Sequence, residues 1–168
     1  MEQAMKRRGR HAGRVAALLA ALAAVAAQAE GKISERTDPQ SGARVVSFVQ
    51  EVVAQRVTLN FFGMSDPQSR EVQLTLVLMR GGDQPRYQGC DQIDVRVGGM
   101  RIGYQEKIES RTLKVGVVES VYVPLRSRDL QPLQLAPRLD YSICGDIASA
   151  TAAELDGVRE VLKRLGLR

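Results

Sequence analysis

The clearest pattern of apolar and polar positions lies in residues 71–80. Every second position is apolar, which is the period of a β-strand, at Val72, Leu74, Leu76 and Leu78. Val77 and Met79 add apolar side chains to the opposite face. Because a strand with two apolar faces is covered on both sides, this pattern predicts a central strand.

Residues 93–104 have the pattern of a β-hairpin. Gly98 and Gly99 supply the positive φ angles that a two-residue turn requires. The turn sets a register that places three apolar pairs on one face: Val97 with Met100, Val95 with Ile102, and Ile93 with Tyr104. The other face presents the charged residues Asp94, Arg96 and Arg101.

Four further segments have strand composition, namely 44–50, 56–62, 112–124 and 138–145. The valines from position 45 onward also fit helical spacing, but five valines in residues 45–53 favour a strand. Gly116 is a candidate β-bulge within the third segment. Ser127 is placed to cap a short helical turn that covers one end or edge of the sheet.

A short sequence similarity precedes two of these strands. Residues 37–41 (TDPQS) match residues 65–69 (SDPQS), and each contains aspartate followed by proline. Aspartate suits the first position of a β-turn and proline the second. We interpret the two segments as similar loops rather than as a duplication.

The C-terminus is predicted to be a helix over residues 151–165. Thr151 and Glu154 have the spacing of a capping box. The apolar residues that follow form one stripe, at Leu155, Val158, Val161, Leu162 and Leu165. Together these elements predict a β-rich α+β fold, a mostly antiparallel sheet or sandwich of about six to eight strands with the C-terminal helix packed on it.

The N-terminal residues have the features of a cleaved export signal. A basic region is followed by 13 apolar residues, 15–27, which are too few to span a bilayer core of about 30 Å, and Ala27-Gln28-Ala29 matches a signal peptidase site. We expect a Sec-type signal at 1–29 with cleavage between Ala29 and Glu30. A turn-rich lead-in is expected at 30–43, followed by one β-rich domain at 44–168.

Removal of the signal changes the charge of the chain. The full chain has a net charge of +5, but the chain without the signal has +1, because the signal contains five of the 24 basic residues and one of the 19 acidic ones. The balance gives no support for nucleic-acid binding. His11, the only histidine, also lies in the signal. The mature chain therefore has no histidine for a metal site, a nucleophile system or acid-base catalysis.

The chain contains two cysteines, Cys90 and Cys144. Two cysteines in an exported chain usually form a disulfide, and this bridge would close a loop of about 55 residues. A redox pair or a metal site is the alternative. It is disfavoured because there is no C-x-x-C motif and no further soft ligand.

Carboxylates are the remaining candidates for catalysis. Asp91 and Asp94 would form an acid-base pair or a calcium site if strand pairing brought them beside Asp140 or Asp146. We prefer the interpretation that they are surface charges balancing nearby arginines. No phosphate-binding loop and no cofactor motif is present, so no cofactor and no enzymatic activity are predicted.

Four residues are candidates for an interaction surface. Arg96 and Arg101 lie on the polar face of the predicted hairpin, and Tyr87 lies in a loop. Phe61 and Phe62 are adjacent in a strand and face opposite ways, so Phe62 marks either a second buried face or a contact surface.

The sequence therefore predicts a periplasmic or secreted binding or assembly module that contacts an envelope or extracellular protein. A free strand edge or the polar face of the hairpin is the expected contact surface. The alternative is a periplasmic protein that binds a small ligand, or a hydrolase that uses carboxylates. A cluster of carboxylates with shifted pKa values in one pocket would favour this alternative.

Overall fold

A computed structural model describes residues 31–69 and 71–167. The predicted signal, residues 1–29, lies outside the described residues. No helix in the described part of the chain is both long enough and apolar enough to cross a membrane. The elements are ten strands, a 3-10 turn at Ser127–Asp129 and two helices: β1 Lys32–Thr37, β2 Arg44–Val49, β3 Val57–Ser65, β4 Val72–Gly82, β5 Ile93–Val97, β6 Met100–Arg101, β7 Lys107–Thr112, β8 Val117–Leu125, α1 Leu130–Leu135, β9 Leu139–Ile143, β10 Asp146–Ser149 and α2 Ala152–Arg164.

The strands form two antiparallel sheets. The larger sheet has the order β1-β2-β3-β4-β8-β7, and the smaller one has the order β10-β9-β5-β6. The predicted β-rich α+β class is confirmed, although the described residues form ten strands rather than six to eight. β4 lies between β3 and β8, as its two apolar faces predicted, with Leu76 opposite Phe61 on one side and Val123 on the other.

The core lies between the inner face of the larger sheet, the smaller sheet and α2. Phe48, Leu59, Phe61 and Leu76 contribute from the larger sheet. Tyr141 and Val95 contribute from the smaller sheet, and Leu155, Val158, Val161 and Leu162 contribute the buried stripe of α2. The predicted helix stripe is therefore part of the core, with only Leu165 partly exposed.

The capping box of α2 forms as predicted, and its glutamate also accepts a hydrogen bond from β3. The Thr151 hydroxyl accepts a bond from Glu154 N at 3.2 Å, and Glu154 Oε2 accepts a bond from Thr151 N at 2.7 Å. The other carboxylate oxygen of Glu154 accepts a bond from Leu59 N at 3.0 Å. This contact joins the start of α2 to β3 in the core.

The two loops of similar sequence have similar hydrogen bonds. Asp38 accepts bonds from Gln40 N at 3.1 Å and Ser41 Oγ at 2.7 Å. Asp66 accepts bonds from Gln68 N at 2.8 Å and Ser69 Oγ at 2.9 Å. In each loop the aspartate therefore closes the turn that connects two neighbouring strands, as the sequence predicted.

Three strands were not predicted: β10, which follows the predicted strand 138–145, and the two polar strands β1 and β7. β1 lies in the segment expected to be a turn-rich lead-in, and β7 lies before the predicted strand 112–124. Gly116, with φ +82°, belongs to the turn between β7 and β8 rather than to a bulge. β1 and β7 are mostly exposed edge strands, so neither has the apolar alternation that marks a half-buried strand.

The predicted hairpin is correct near its turn only. Val97 pairs with Met100, and both turn glycines have positive φ. After Ile102 the chain leaves the smaller sheet, and Tyr104 N donates to Pro124 O instead of facing Ile93. Met100 was expected on the apolar face but is exposed.

Cys90 and Cys144 form the predicted disulfide. Cys90 lies in the long connection between β4 and β5, and Cys144 lies in the turn between β9 and β10. Cys144 N also donates to Gln92 O at 2.9 Å. The bridge ties the connection between the sheets to the margin of the smaller sheet.

Candidate functional site

Arg96 and Arg101 are exposed on the outer face of the smaller sheet, where the sequence placed them. Arg96 Nε lies 2.7 Å from Asp94 Oδ2, and Arg101 Nη2 lies 3.5 Å from Glu106 Oε1. Each arginine therefore has a carboxylate neighbour, and the patch has no excess charge that would select an ionic partner.

Tyr87 is not an exposed contact, so that prediction is wrong. The residue is 1% exposed and its hydroxyl donates to Asp146 Oδ2 at 3.1 Å. Burial, followed by the bond to Asp146, raises the pKa of Tyr87. Phe62 is half-buried on the outer face of the larger sheet, opposite Ser47 and Thr75.

The four candidate carboxylates do not form a catalytic pair. Asp94 and Asp140 face outward, and each is paired with an arginine. Hydrogen bonds from Ser149 and Arg138 lower the pKa of Asp140, which favours its ionised form. Asp146 is bound to Tyr87 and to Arg86, with Arg86 Nη2 at 2.5 Å, and Asp91 is exposed in a loop.

A cleft of about 640 Å³ opens between the two sheets, and we call it the arginine cleft. Arg56 lies in the loop before β3, and Arg80 lies in β4. Arg86 lies in the connection between β4 and β5. Tyr141 and Asp146 line it from the smaller sheet. Its volume lies within the range of small-molecule sites, roughly 300–1,000 Å³.

A buried carboxylate organises one wall of the arginine cleft. Glu119 is 1% exposed and accepts bonds from Arg86 N at 2.9 Å and Tyr87 N at 2.7 Å. The nearest Arg80 nitrogen lies 3.6 Å from Glu119 Oε2, and the Arg80 guanidinium lies 6.0 Å from the Tyr87 ring centroid. Glu119 therefore fixes the backbone at Arg86 and Tyr87 by hydrogen bonds, and it balances the charge of Arg80.

The guanidinium groups of the three arginines differ in the hydrogen bonds and ion pairs that they form. The Arg80 side chain is 12% exposed, yet within the described residues its guanidinium donates no hydrogen bond. Arg56 is exposed and forms no ion pair in the same part of the chain. Arg86 uses one terminal nitrogen on Asp146. The cleft thus contains unused guanidinium donors, five per arginine before any bond is made.

Tyr141 forms part of the floor of the arginine cleft. Its hydroxyl donates to Val57 O at 3.4 Å. Burial is the main reason that the pKa of Tyr141 is raised to about 12, while the charge of Arg56 acts in the opposite direction. The phenol therefore stays protonated at neutral pH and remains a hydrogen-bond donor.

A second candidate surface is the outer edge of β7. A cavity of about 370 Å³ lies beside this strand, and its walls include Ile93, Lys107, Ile108 and Ser110 together with the segment 87–91. Leu113 N donates to Gly116 O in the turn that follows β7. Because backbone groups alternate in direction along a strand, the amides of Ser110 and Thr112 point away from β8.

Comparison of the chain with protein-family models, with curated proteins and with solved structures gave no match. The class defined by the fold is therefore a β-rich α+β domain of two antiparallel sheets and a C-terminal helix.

The arginine cleft has no signal in the sequence. Its arginines lie 24 and 6 positions apart, and the residues that face them come 55 or more positions later. The edge of β7 does have a signal in the sequence, since Lys-Ile-Glu-Ser-Arg-Thr at 107–112 closely resembles Lys-Ile-Ser-Glu-Arg-Thr at 32–37. Both segments form the edges of the larger sheet.

Proposed function

We propose that the protein is an exported binding module that contacts an envelope or extracellular protein by adding a partner segment to the edge of β7. The observation that best supports this proposal is an outer strand with outward backbone groups directly beside a cavity. In strand addition, backbone hydrogen bonds supply affinity and cavities for alternate side chains supply specificity. The β7 edge offers both.

The charges of β7 indicate the chemistry of the partner segment. Lys107, Glu109 and Arg111 share one face of the strand, and Lys107 Nζ lies 2.6 Å from Glu109 Oε1. Arg111 forms no ion pair within the described residues. An acidic side chain opposite Arg111, with an apolar side chain entering the cavity beside Ile108, would complement this edge.

The direction of the carboxylate pKa shifts favours a binding module over a hydrolase. Among the described residues, every carboxyl group with a resolved pKa shift has its pKa lowered by hydrogen bonds at an exposed or half-buried position, and these groups are Glu35, Asp38, Asp66, Asp140 and Glu160. A general acid needs a raised pKa near the working pH. No group of this kind supports a carboxylate-dependent enzyme.

Export is part of the proposal. A disulfide is typical of oxidising compartments, and residues 1–29 have the pattern of a cleaved signal. We expect N-terminal sequencing of protein recovered from the periplasm or the medium to begin at Glu30. A first residue at any other position would contradict the cleavage site.

The β7 contact can be tested by photo-cross-linking in the cells that produce the protein. We expect a photo-reactive residue introduced as Glu109→p-benzoylphenylalanine, on the same exposed face of β7 as Arg111, to give one reproducible cross-linked protein. Ser110→Pro, made in the same background, should abolish that product, because proline removes an outward amide and blocks strand addition. The variant should fold, since this amide is not bonded to β8.

Thr37→Pro is the matched control at the other edge of the larger sheet. Asp38 N donates to Ala43 O, so the amide of Thr37 also points outward from its sheet. We expect this variant to retain the cross-link. A product that survives Ser110→Pro, or one that joins two copies of this chain, would refute the proposed contact.

A further inference from the structure

The geometry points to a second binding site in the arginine cleft, for a small organic anion such as a carboxylate or a phosphate ester. This inference is separate from the proposed partner contact, because the cleft and the β7 cavity have no lining residue in common. It depends on the unused donors, the charge balance and the shape of the cleft.

Arg80 is the residue that most strongly indicates a ligand. A buried polar group normally has a hydrogen-bond partner, and leaving a charged one without a partner is unfavourable. Arg80 is largely buried and is ion-paired with Glu119 at 3.6 Å, but within the described residues its guanidinium donates no hydrogen bond. An oxyanion in the cleft would accept the paired donors that Arg80 presents.

The charge balance of the cleft also favours an anion. Glu119 offsets Arg80, and Asp146 offsets Arg86. Arg56 has no carboxylate neighbour within 4 Å among the described residues and leaves one positive charge at the rim. Asp146 is itself neutralised by Arg86 and by the hydroxyl of Tyr87, so it opposes an anion only weakly.

The remaining walls fit an organic rather than a purely inorganic anion. Val57 and Ala148 give the cleft an apolar side, and Ile147 is 82% exposed at its margin. Ligand sites commonly combine apolar walls with a few polar groups that orient the ligand. The single O–H of Tyr141 donates to Val57 O at 3.4 Å, and it could serve a ligand only by giving up this long bond.

The backbone beside the cleft is also unusual. Gln55 has φ +63°, a left-handed conformation that a residue with a side chain seldom adopts. Its amide donates to Gly81 O at 2.9 Å, which holds the loop before Arg56 against β4. Strained residues of this kind occur often at binding sites, where the surrounding structure maintains them.

Titration with benzoate and with inorganic phosphate at constant ionic strength tests the site. The readout is the ¹⁵N resonance of each arginine Nε together with the heat of binding. We expect saturable shifts confined to Arg56, Arg80 and Arg86, with benzoate binding more tightly than phosphate because it also uses the apolar wall. Phosphate binding more tightly at the same three residues would support a phosphate-type anion and the same site.

Three variants separate binding from folding. The Arg56 side chain has no ion-pair partner among the described residues, so Arg56→Gln should leave the fold intact and weaken binding by about tenfold or more, the effect of one hydrogen bond to a charged group. Arg96→Gln, on the outer face of the smaller sheet, is the matched control and should leave binding unchanged. Asp146→Asn should change the affinity less than Arg56→Gln does, because Arg86 and the Tyr87 hydroxyl already neutralise this carboxylate.

The inference would be overturned by shifts that increase linearly without saturation, or by equal responses in Arg56→Gln and Arg96→Gln. Arg80→Lys gives an additional check, since it retains the charge but loses the paired donors. We expect it to fold and to bind benzoate at least several times more weakly. Unchanged affinity in this variant would also contradict the site.

Discussion

Glu154 offers the sharpest test of how the helix is joined to the sheet. Its two oxygens accept bonds from Leu59 N and Thr151 N, and the side chain is 1% exposed. Glu154→Ala removes both acceptors. The amide of Leu59 is then buried without a partner at a cost of about 1–3 kcal/mol. The amide of Thr151 is only partly buried, and loss of the capping interaction adds about 1 kcal/mol.

We therefore expect Glu154→Ala to lower the free energy of unfolding by about 2–4 kcal/mol. Thr151→Ala removes the cap but leaves the bond to Leu59, so it should cost about 1 kcal/mol. Glu154→Gln keeps the side-chain volume and one carbonyl oxygen. Its cost should lie between the other two, because one of the two amides loses its acceptor.

The measurement is urea-induced unfolding of the oxidised protein, followed by far-UV circular dichroism and analysed by linear extrapolation. Equal m-values among the variants are required for the comparison of free energies. If Glu154→Ala were no more destabilising than Thr151→Ala, the bond to Leu59 would contribute nothing, and the argument would be refuted.

Three further predictions concern the bridge, the core and the turns. The intact mass of the exported protein should rise by about two mass units on reduction, and replacing Cys90 and Cys144 by alanine should lower stability by up to about 4 kcal/mol; an unchanged mass would exclude the bridge. Leu162→Asp should cost several kcal/mol because it buries an unpaired charge, whereas Leu135→Asp, at an exposed position, should have little effect on the melting temperature; equal effects would show that the helix stripe is not core. Hydrogen bonds from Gln68 N and Ser69 lower the pKa of Asp66, so its contribution to stability is present above the unfolded-state pKa and is lost as the pH falls through the folded-state pKa; Asp66→Asn should make the acid-side decline shallower, and identical pH profiles would contradict this.

Local patterns predicted those elements whose environment is marked in the sequence. Alternation on both faces identified β4 as central, and the Thr151–Glu154 spacing located the start of α2. The sequence pattern did not predict the edge strands β1 and β7. Most of their side chains are exposed, so these strands do not need alternating apolar residues. Their pairing is decided by the neighbouring strands and not by their own composition.

The candidate sites were less predictable because they depend on contacts between distant residues. Tyr87 follows a proline-containing loop and was expected at the surface, but its burial depends on Glu119 and Asp146, 32 and 59 positions away. The arginine cleft likewise exists only when both sheets are assembled. The disulfide was predictable, since two cysteines allow a single intramolecular pairing.

The position of α2 has a consequence for folding during synthesis. The helix packs on β1, β2 and β3, and Gly157 lies so close to the Phe48 ring that an added Cβ would be 2.4 Å from it. A growing chain that ends before residue 151 leaves Phe48, Leu59 and Phe61 without this cover. The core of β1, β2 and β3 therefore closes only when residues 152–164, which are made after all ten described strands, have been added. Because these contacts join residues that are far apart in the sequence, the apolar residues of the unfinished chain stay exposed for longer. In a fold whose neighbouring elements pack together, such residues would be covered as they are made.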